Sequence, residues 1–373
     1  MLSRVSARAY STAPVKLVSR DASGSLSTLS VKVSNAGSKS GKAGVAHLLS
    51  KFGFLNNEVK SALRFTRESE LLGGKFSSHV TRDAIVLLTQ FLKQDLPYYV
   101  DELANTLAKP LYRPFEFTET VVPVAKAEAA AGNANSGFVA LEKLHELSFR
   151  RGYGNSLYYH DSNKVTLDDV VDFGAAAFTK DNVSIIASGV NEADLAGFVA
   201  DSAFSELPSG SIAAPAVKSH TGKETRVATT GPSVAAIGVP VAKGDFAKYE
   251  VLAAAAGTSV LAGAASPLAQ IPGADSKLYK YEDAGLFVVS VSGADASLVA
   301  EGIKSAKAAV EKISASDLSA ATKAAELSVA LQDSFEFPHD ITISADSGKG
   351  AKLGEFNYVA VGNTDVLPFA DEL

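Results

Sequence analysis

The same order of strand-like and helix-like segments occurs twice along the 373 residues, and this repetition constrains the fold most strongly. The first half opens with alternating runs at 15–20 and 26–33, and the second opens with runs at 225–229 and 234–241. We expect the two runs of each pair to be neighbours in a sheet. Helical periodicity and a further strand follow each pair. The pattern predicts an α+β protein of two similar domains, each a mixed, mostly antiparallel sheet with helices packed on one face.

Composition suggests where these domains begin and end. Residues 205–223 are rich in Ser, Pro, Gly and Ala and show no period of 2 or 3.6, which is typical of a linker. The predicted N-terminal domain is therefore 15–204, and the predicted C-terminal domain is 224–373. The chain length is also suited to two domains, each large enough to bury a core.

The first twenty residues carry four basic and no acidic side chains, together with several serines. An Arg-rich, Ser-rich and acid-poor start is typical of a mitochondrial targeting sequence. The run Arg8–Ser11 resembles a matrix processing site, so we expect 1–14 to be a presequence and the mature chain to start between Tyr10 and Val15. A disordered basic tail is the alternative. A secretory signal is disfavoured because no long apolar run follows.

Charge and composition exclude several classes of function. The net charge is −6, from 35 Lys+Arg and 41 Asp+Glu, which disfavours a nucleic-acid partner. The absence of cysteine excludes disulfides, thiolate zinc sites, a Cys nucleophile and cysteine-held iron–sulfur clusters. The uncharged stretch 251–274 is rich in Ala, Gly and Ser and contains two prolines, which favours a buried helix and a loop over a membrane span. We expect no transmembrane helix and no cofactor.

Histidine placement argues against an ordinary helical zinc site, because no two of the six histidines are spaced i, i+3 or i, i+4. His47 lies in a helix predicted over 44–54, and the residues three and four positions later are Ser50 and Lys51. A lysine ammonium has no free lone pair for a metal, and a serine hydroxyl is a poor general base. Taken alone, His47 is best interpreted as a packed helix histidine, with Lys51 at the surface or in an ion pair. The other five are His79, His145, His160, His220 and His339.

The N-terminal segment nevertheless resembles the pitrilysin-type metallopeptidases, which include the mitochondrial processing peptidase and use the zinc motif H-x-x-E-H on a helix. The resemblance places the first motif histidine at His47, the catalytic glutamate at Ser50 and the second histidine at Lys51. The family spacing puts the distal ligand near Glu128. At most two of three metal ligands would then remain and the general base is lost, so the resemblance implies no catalytic residue and no bound metal. The strand at 76–80 also departs from the Asn-x-Tyr pattern of active members.

A closer resemblance is to a non-catalytic branch, the core-subunit-2 family of the fungal cytochrome b–c1 complex (ubiquinol–cytochrome c reductase). Six segments spread over the mature chain carry it. They are GVAHLLSKFGF (44–54), RESELLGGKF (67–76), FLKQDLPYYVDELA (91–104), SVAAIGVP (233–240), YEVLA (249–253) and KLGEFNYVAVGNTDVLPFADEL (352–373).

This resemblance implies a metallopeptidase-like fold without the zinc site and a structural role in respiratory complex III. The implied location is peripheral, on the matrix side of the mitochondrial inner membrane. The implied partners are core subunit 1 and the cytochrome b, c-type cytochrome and Rieske subunits of a dimeric complex. The alternative is a subunit of a mitochondrial processing peptidase, whose non-catalytic subunit carries a Gly-rich loop. The nearest stretch here, 257–273, is rich in alanine instead.

Overall fold

The computed structural model describes residues 14–21, 23–213, 215–258, 266–332 and 341–373. Residues 1–13 of the predicted presequence lie outside these ranges, and so does most of the Tyr10–Val15 range in which the mature chain is expected to start. His339 also lies outside them. The chain divides into two compact units. The first comprises residues up to Ala129 together with Ser156–Pro215, and the second comprises Ala130–Asn155 together with Ala216–Leu373.

The first unit contains a five-stranded sheet in the order β1-β5-β2-β4-β3. Its strands are β1 (Lys16–Arg20), β2 (Leu26–Ser34), β3 (Lys75–Val80), β4 (Ala84–Leu92) and β5 (Val183–Ser188). The expectation that the first two strands pair is wrong, because β5 lies between them, parallel to β1 and antiparallel to β2. Four of the six β5 residues are buried, so this strand belongs inside the sheet.

The described helices of the N-terminal half include the one predicted over 44–54. They are α1 (Val45–Lys51), α2 (Ala62–Leu71), α3 (Leu96–Ala108), α4 (Pro114–Glu116), α5 (Val122–Asn133), α6 (Ser136–Phe149), α7 (Leu167–Ala177) and α8 (Glu192–Asp201). Helix α7 begins with a capping box formed by Thr166 and Asp169. Helix α6 starts anew after α5, because Asn135 caps it by accepting the N–H groups of Gly137 and Phe138.

The second unit repeats the strand order, as β6-β10-β7-β9-β8. Its strands are β6 (Glu224–Ala228), β7 (Ser233–Ala242), β8 (Ala274–Lys280), β9 (Ala284–Gly293) and β10 (Asn357–Gly362), and its helices α9 (Phe246–Ala256), α10 (Ala296–Glu311) and α11 (Ala315–Gln332). The predicted α+β class with two similar sheets is thus confirmed. The predicted pairing of β6 with β7 is wrong, since β10 lies between them. Sequence reasoning missed β8, whose charged residues obscure its alternation.

Helix α6 belongs to the second unit, so the prediction that 15–204 forms one domain is wrong for residues 130–155. Its residues Ala140, Leu144 and Phe149 pack in a cluster with β7, β9 and β10 that is separate from the cluster formed by α9, α10 and α11. All residues of β10 and most of β7 are buried, so the second sheet is apolar on both faces and needs a cover on each. Gly238 makes room for α6, because a Cβ there would lie 2.9 Å from a Leu144 methyl.

The chain passes from the first unit to the second for the last time at residues 215–216, inside the stretch predicted as a linker. Among the described residues, no helix is both long and apolar enough to cross a membrane. In the uncharged 251–274 stretch, α9 ends at Ala256 and β8 begins at Ala274, while residues 259–265 are outside the described ranges.

The packing of α6 gives a first prediction. Leu144→Ala should lower the free energy of unfolding of the second unit by about 2–5 kcal/mol, the range for a fully buried leucine. Hydrogen exchange followed by mass spectrometry should show faster exchange in β7 and β10 but not in β2 and β4. Leu63→Ala, at a leucine that is 60% exposed on α2, should change stability by less than about 0.5 kcal/mol. Faster exchange confined to the first sheet would contradict the assignment of α6.

Candidate functional site

The short helix α1 presents His47, Ser50 and Lys51, and its start depends on Gly44. Gly44 has a φ of 85°, and a Cβ there would lie 3.0 Å from the Tyr159 Cα, so a larger residue would displace the helix start. Six of the seven helix residues are buried. His47 and Lys51 are four residues apart and therefore lie one turn apart on the same face.

Helix α5 brings Glu128 to this face, and its carboxylate bridges the two α1 side chains. Glu128 Oε2 lies 2.8 Å from His47 Nε2, and Glu128 Oε1 lies 2.6 Å from Lys51 Nζ. A π-helical turn, Phe117–Val121, precedes α5, and Pro123, which lacks an N–H, lies just after it. The structure thus brings three of the four motif residues together, with His47 and Lys51 on the two carboxylate oxygens of Glu128.

The hydrogen bonds of His47 define its tautomer. The backbone N–H of Tyr159 donates to His47 Nδ1 over 3.0 Å, so this nitrogen carries no proton. The proton of the neutral ring is therefore on Nε2, from which it is donated to Glu128. Burial lowers the pKa of His47, and this effect outweighs the hydrogen bond to Glu128, which raises it. Both ring nitrogens are engaged, and His47 is neutral at physiological pH.

The electrostatics of Glu128 complement this arrangement. Burial works to raise the pKa of the carboxyl, but hydrogen bonds from Lys51 and His47 outweigh it, and the pKa is lowered overall. The carboxylate is therefore ionised and faces the Lys51 ammonium. The Lys51 side chain is 11% exposed, so its ion pair is shielded from solvent more than an ordinary surface pair.

Ser50 does not join the cluster of polar side chains. Its hydroxyl is buried and donates to the carbonyl of His47 over 2.7 Å, within its own helix. The Ser50 carbonyl in turn accepts from Ser78 Oγ of β3 over 2.6 Å. The residue that stands at the glutamate position of the zinc motif thus ties α1 to the sheet instead of facing His47 Nε2.

The side chains of this site do not fit a zinc ion. Catalytic zinc sites use three protein ligands and an open position for water. Here one imidazole and one carboxylate contact each other directly, and the third position holds an ammonium that would repel a dication. Within the described part of the chain, no group of three or more His, Cys, Asp or Glu side chains is arranged to hold a metal. The arrangement provides a charge-paired link between α1 and α5.

Sequence reasoning missed the Tyr158–Asp161 segment beside the site. The Tyr158 ring lies 4.8 Å from the His47 ring, and Asp161 accepts from Lys126 at 3.0 Å and from the Tyr159 hydroxyl at 3.2 Å. The partner of His47 Nδ1 is a backbone amide, which every residue except proline offers. Side-chain identity therefore gives no signal for this contact.

Two other histidines also have local partners. His145 of α6 is fully buried, with Nδ1 at 2.7 Å from the Leu141 carbonyl and Nε2 at 2.6 Å from the Tyr281 hydroxyl. His160 Nε2 lies 3.1 Å from Ser156 Oγ. Both sets of contacts stabilise local packing.

Comparison with known proteins places this site in a family. Residues 16–161 match the family described as Insulinase (Peptidase family M16). Among solved structures, a peptidase M16 inactive domain from Pseudomonas fluorescens superposes with a TM-score of 0.77 at 16% identity, covering 97% of this chain and 99% of that one. A protease from Helicobacter pylori gives a TM-score of 0.75 at 16% identity, covering 95% and 98%. The fold is that of M16 peptidases.

Sequence relatives define the branch more closely. The protein "Cytochrome b-c1 complex subunit 2, mitochondrial" of Debaryomyces hansenii is 60% identical over all of both chains. The protein of that name in Saccharomyces cerevisiae is 42% identical over 95% of this chain and 94% of its own length. The chain belongs to the cytochrome b–c1 complex subunit 2 family, which confirms the family indicated by the sequence motifs.

The bridge through Glu128 gives a second prediction. Lys51→Met should raise the pKa of His47, because the nearby Lys51 charge is one of the influences that lower it. The pKa of Glu128 should rise as well, since it loses its 2.6 Å partner. NMR titration of the histidine ring protons measures the first shift. Lys126→Met is the matched control, because Lys126 lies on the same helix as Glu128 but pairs with Asp161. An unchanged His47 titration in Lys51→Met would contradict the described bridge.

Proposed function

We propose that this chain is a non-catalytic core subunit of respiratory complex III, needed for assembly and stability of the complex on the matrix side of the mitochondrial inner membrane. The observation that carries the proposal is the full-length, 60% identity to a protein named as subunit 2 of that complex. The alignment covers both chains completely, so each segment of that relative is aligned with a segment of this chain.

The chemistry of the motif site supports a role without catalysis. Lys51 stands where a zinc ligand would be needed, and the Ser50 hydroxyl is bonded inside its own helix. We propose that His47, Ser50, Lys51 and Glu128 bind no metal and that Glu128 serves as a structural partner of the two α1 side chains. A chain without a reactive centre contributes to a complex through its surfaces and its stability.

The proposed partners are core subunit 1 and the cytochrome b, c-type cytochrome and Rieske subunits, within a dimeric complex. The proposed attachment is peripheral. Support comes from the names of the relatives, from the basic N-terminal sequence and from the finding that no described helix could cross a membrane. The net charge of −6 supports a protein partnership over binding to nucleic acid.

A second candidate is a subunit of a mitochondrial processing peptidase. The observation in its favour is a 30% identity over 167 residues to "Mitochondrial-processing peptidase subunit alpha" of Solanum tuberosum. That match covers 44% of this chain and 33% of the relative, whereas the subunit 2 match covers both chains completely. The extent of the match favours the respiratory subunit.

Native gel electrophoresis of mitochondria, probed for this chain, tests the proposal. We expect the chain in one large band that also contains b- and c-type haem, because an assembled subunit migrates with its complex. Deleting the gene should reduce the amount of that band. A free heterodimer with presequence-cleaving activity that a chelator abolishes would support the peptidase candidate.

Metal analysis of the dialysed chain completes this test. Without three suitable ligands, the wild-type chain should hold no stoichiometric zinc. The double variant Ser50→Glu/Lys51→His restores the motif and is the positive control for zinc uptake. Stoichiometric zinc in the wild-type chain would overturn the non-catalytic assignment of the site.

The predicted presequence has a test that uses the single methionine of the chain. Precursor made with radiosulfur-labelled methionine is labelled only at Met1, whereas tritiated leucine labels the whole chain. After import into isolated mitochondria, the processed chain should keep tritium and lose all radiosulfur, because cleavage between Tyr10 and Val15 removes Met1. Mitochondria without a membrane potential are the control. Retention of radiosulfur in the assembled subunit would contradict the presequence.

A further inference from the structure

A cavity of about 560 Å³ opens at one end of the second sheet. It lies where β7 begins, where β9 and β10 end, and where α10 starts. Its lining includes the side chains of Thr229, Ser233, Asp295, Ser297, Asn363 and Val366. All of these belong to the second unit, so this unit alone forms the cavity.

The polar groups of the cavity favour a positively charged occupant. Among the described residues that line it, Asp295 carries the only charge, and its exposed carboxylate caps α10 by accepting from Ser297 N at 2.8 Å. Thr229 Oγ1 is buried and has no hydrogen-bond partner in the described part of the chain, so a hydrogen-bonding position is available there. An anion such as phosphate would be repelled by the Asp295 carboxylate.

Two exposed apolar side chains lie at the cavity or next in sequence to a residue that lines it. Val366 is 42% exposed and lines the cavity itself, and Leu298, which follows Ser297 on α10, is 66% exposed. An acidic group bordered by exposed apolar side chains matches the long side chain of arginine or lysine, which packs its aliphatic stem on apolar surface and pairs its charged end. Exposed apolar residues beside such a group are typical of protein interfaces, in which arginine is enriched.

We infer that this cavity is a docking surface in which a neighbouring protein subunit places a lysine or arginine side chain against Asp295, with Val366 and Leu298 packing around its stem. The inference rests on the proposed function, because it assumes that the chain works inside a multi-subunit complex. The occupant is a basic segment of another subunit. A metal ion is disfavoured, because a single carboxylate among hydroxyl groups is a poor ligand set.

Substitution of Asp295 by asparagine separates its charge from its capping role. Asparagine is as good an N-cap as aspartate, so Asp295→Asn should keep α10 intact while removing the negative charge. Asp317→Asn is the matched control, since Asp317 is an exposed aspartate in the first turn of α11 and its loss changes the net charge of the unit equally. Thermal unfolding of both variant chains should match the wild type.

The readout is retention of this chain in the purified complex during washes of rising salt concentration. We expect the Asp295→Asn chain to dissociate from the complex about fivefold faster than the wild-type chain at physiological salt, which is the upper end of the effect of a surface ion pair. Its dissociation rate should also depend less on the salt concentration. Asp317→Asn should behave as wild type. Equal retention of the two variants would overturn the inference, and so would tighter retention of Asp295→Asn, since that result indicates an anionic occupant such as a lipid headgroup.

A second measurement identifies the occupant directly. The chain has no cysteine, so Ser297→Cys introduces a single thiol into it that can carry a photoreactive cross-linker in the assembled complex. Mass spectrometry should find the thiol-bearing peptide joined to a lysine- or arginine-containing peptide of another subunit. Cross-links only within this chain would overturn the docking surface. Failure of the proposed function is distinguishable, because the wild-type chain would then not copurify with the complex at all.

Discussion

In each unit, the strand that comes last in the sequence lies in the sheet between the two strands that come first. The rest of each unit depends on the pairing of this last strand with its two neighbours. Strand β5 separates β1 from β2, and β10 separates β6 from β7. Among the described strands, β1 and β6 pair only with these late strands, so neither sheet is complete until its last strand is in place. Such contacts between distant parts of the chain require closure of long loops, and they fix the face on which the intervening helices pack.

The motif site is organised around an internal charge pair. Glu128 and His47 are in contact, and the ammonium of Lys51 supplies the positive charge beside the carboxylate. Because a backbone amide fixes the His47 tautomer and Ser50 is bonded within its helix, each group that the H-x-x-E-H motif would use for catalysis has a structural partner here. The residues at the motif positions thus pair with one another within a fold that is similar to that of M16 peptidases.

The two units do not correspond to two continuous halves of the sequence, and the reason is helix α6. It is encoded in the first half but covers a face of the second sheet, where Leu144 packs against Gly238. This arrangement links the two units by chain connectivity in addition to the stretch at 205–223. The proposed role of the protein is in assembly of a complex. The stability of the second unit and the cavity beside Asp295 at one end of its sheet therefore matter for that role.

The sequence by itself determined the α+β class, the positions of the leading strands and of the helix that carries His47, and the residues at two motif positions, because these depend on local periodicity, composition and residue identity. The spacing of the family motif also predicted Glu128 as the distal motif residue that accompanies His47. Only the tertiary structure decided that β5 and β10 insert between earlier strands, that α6 covers the second sheet, and that Lys51, His47 and Glu128 share one bridge. These features depend on contacts between residues far apart in sequence, such as Tyr159 N–H with His47 Nδ1, and local patterns carry no information about which distant partner a side chain meets.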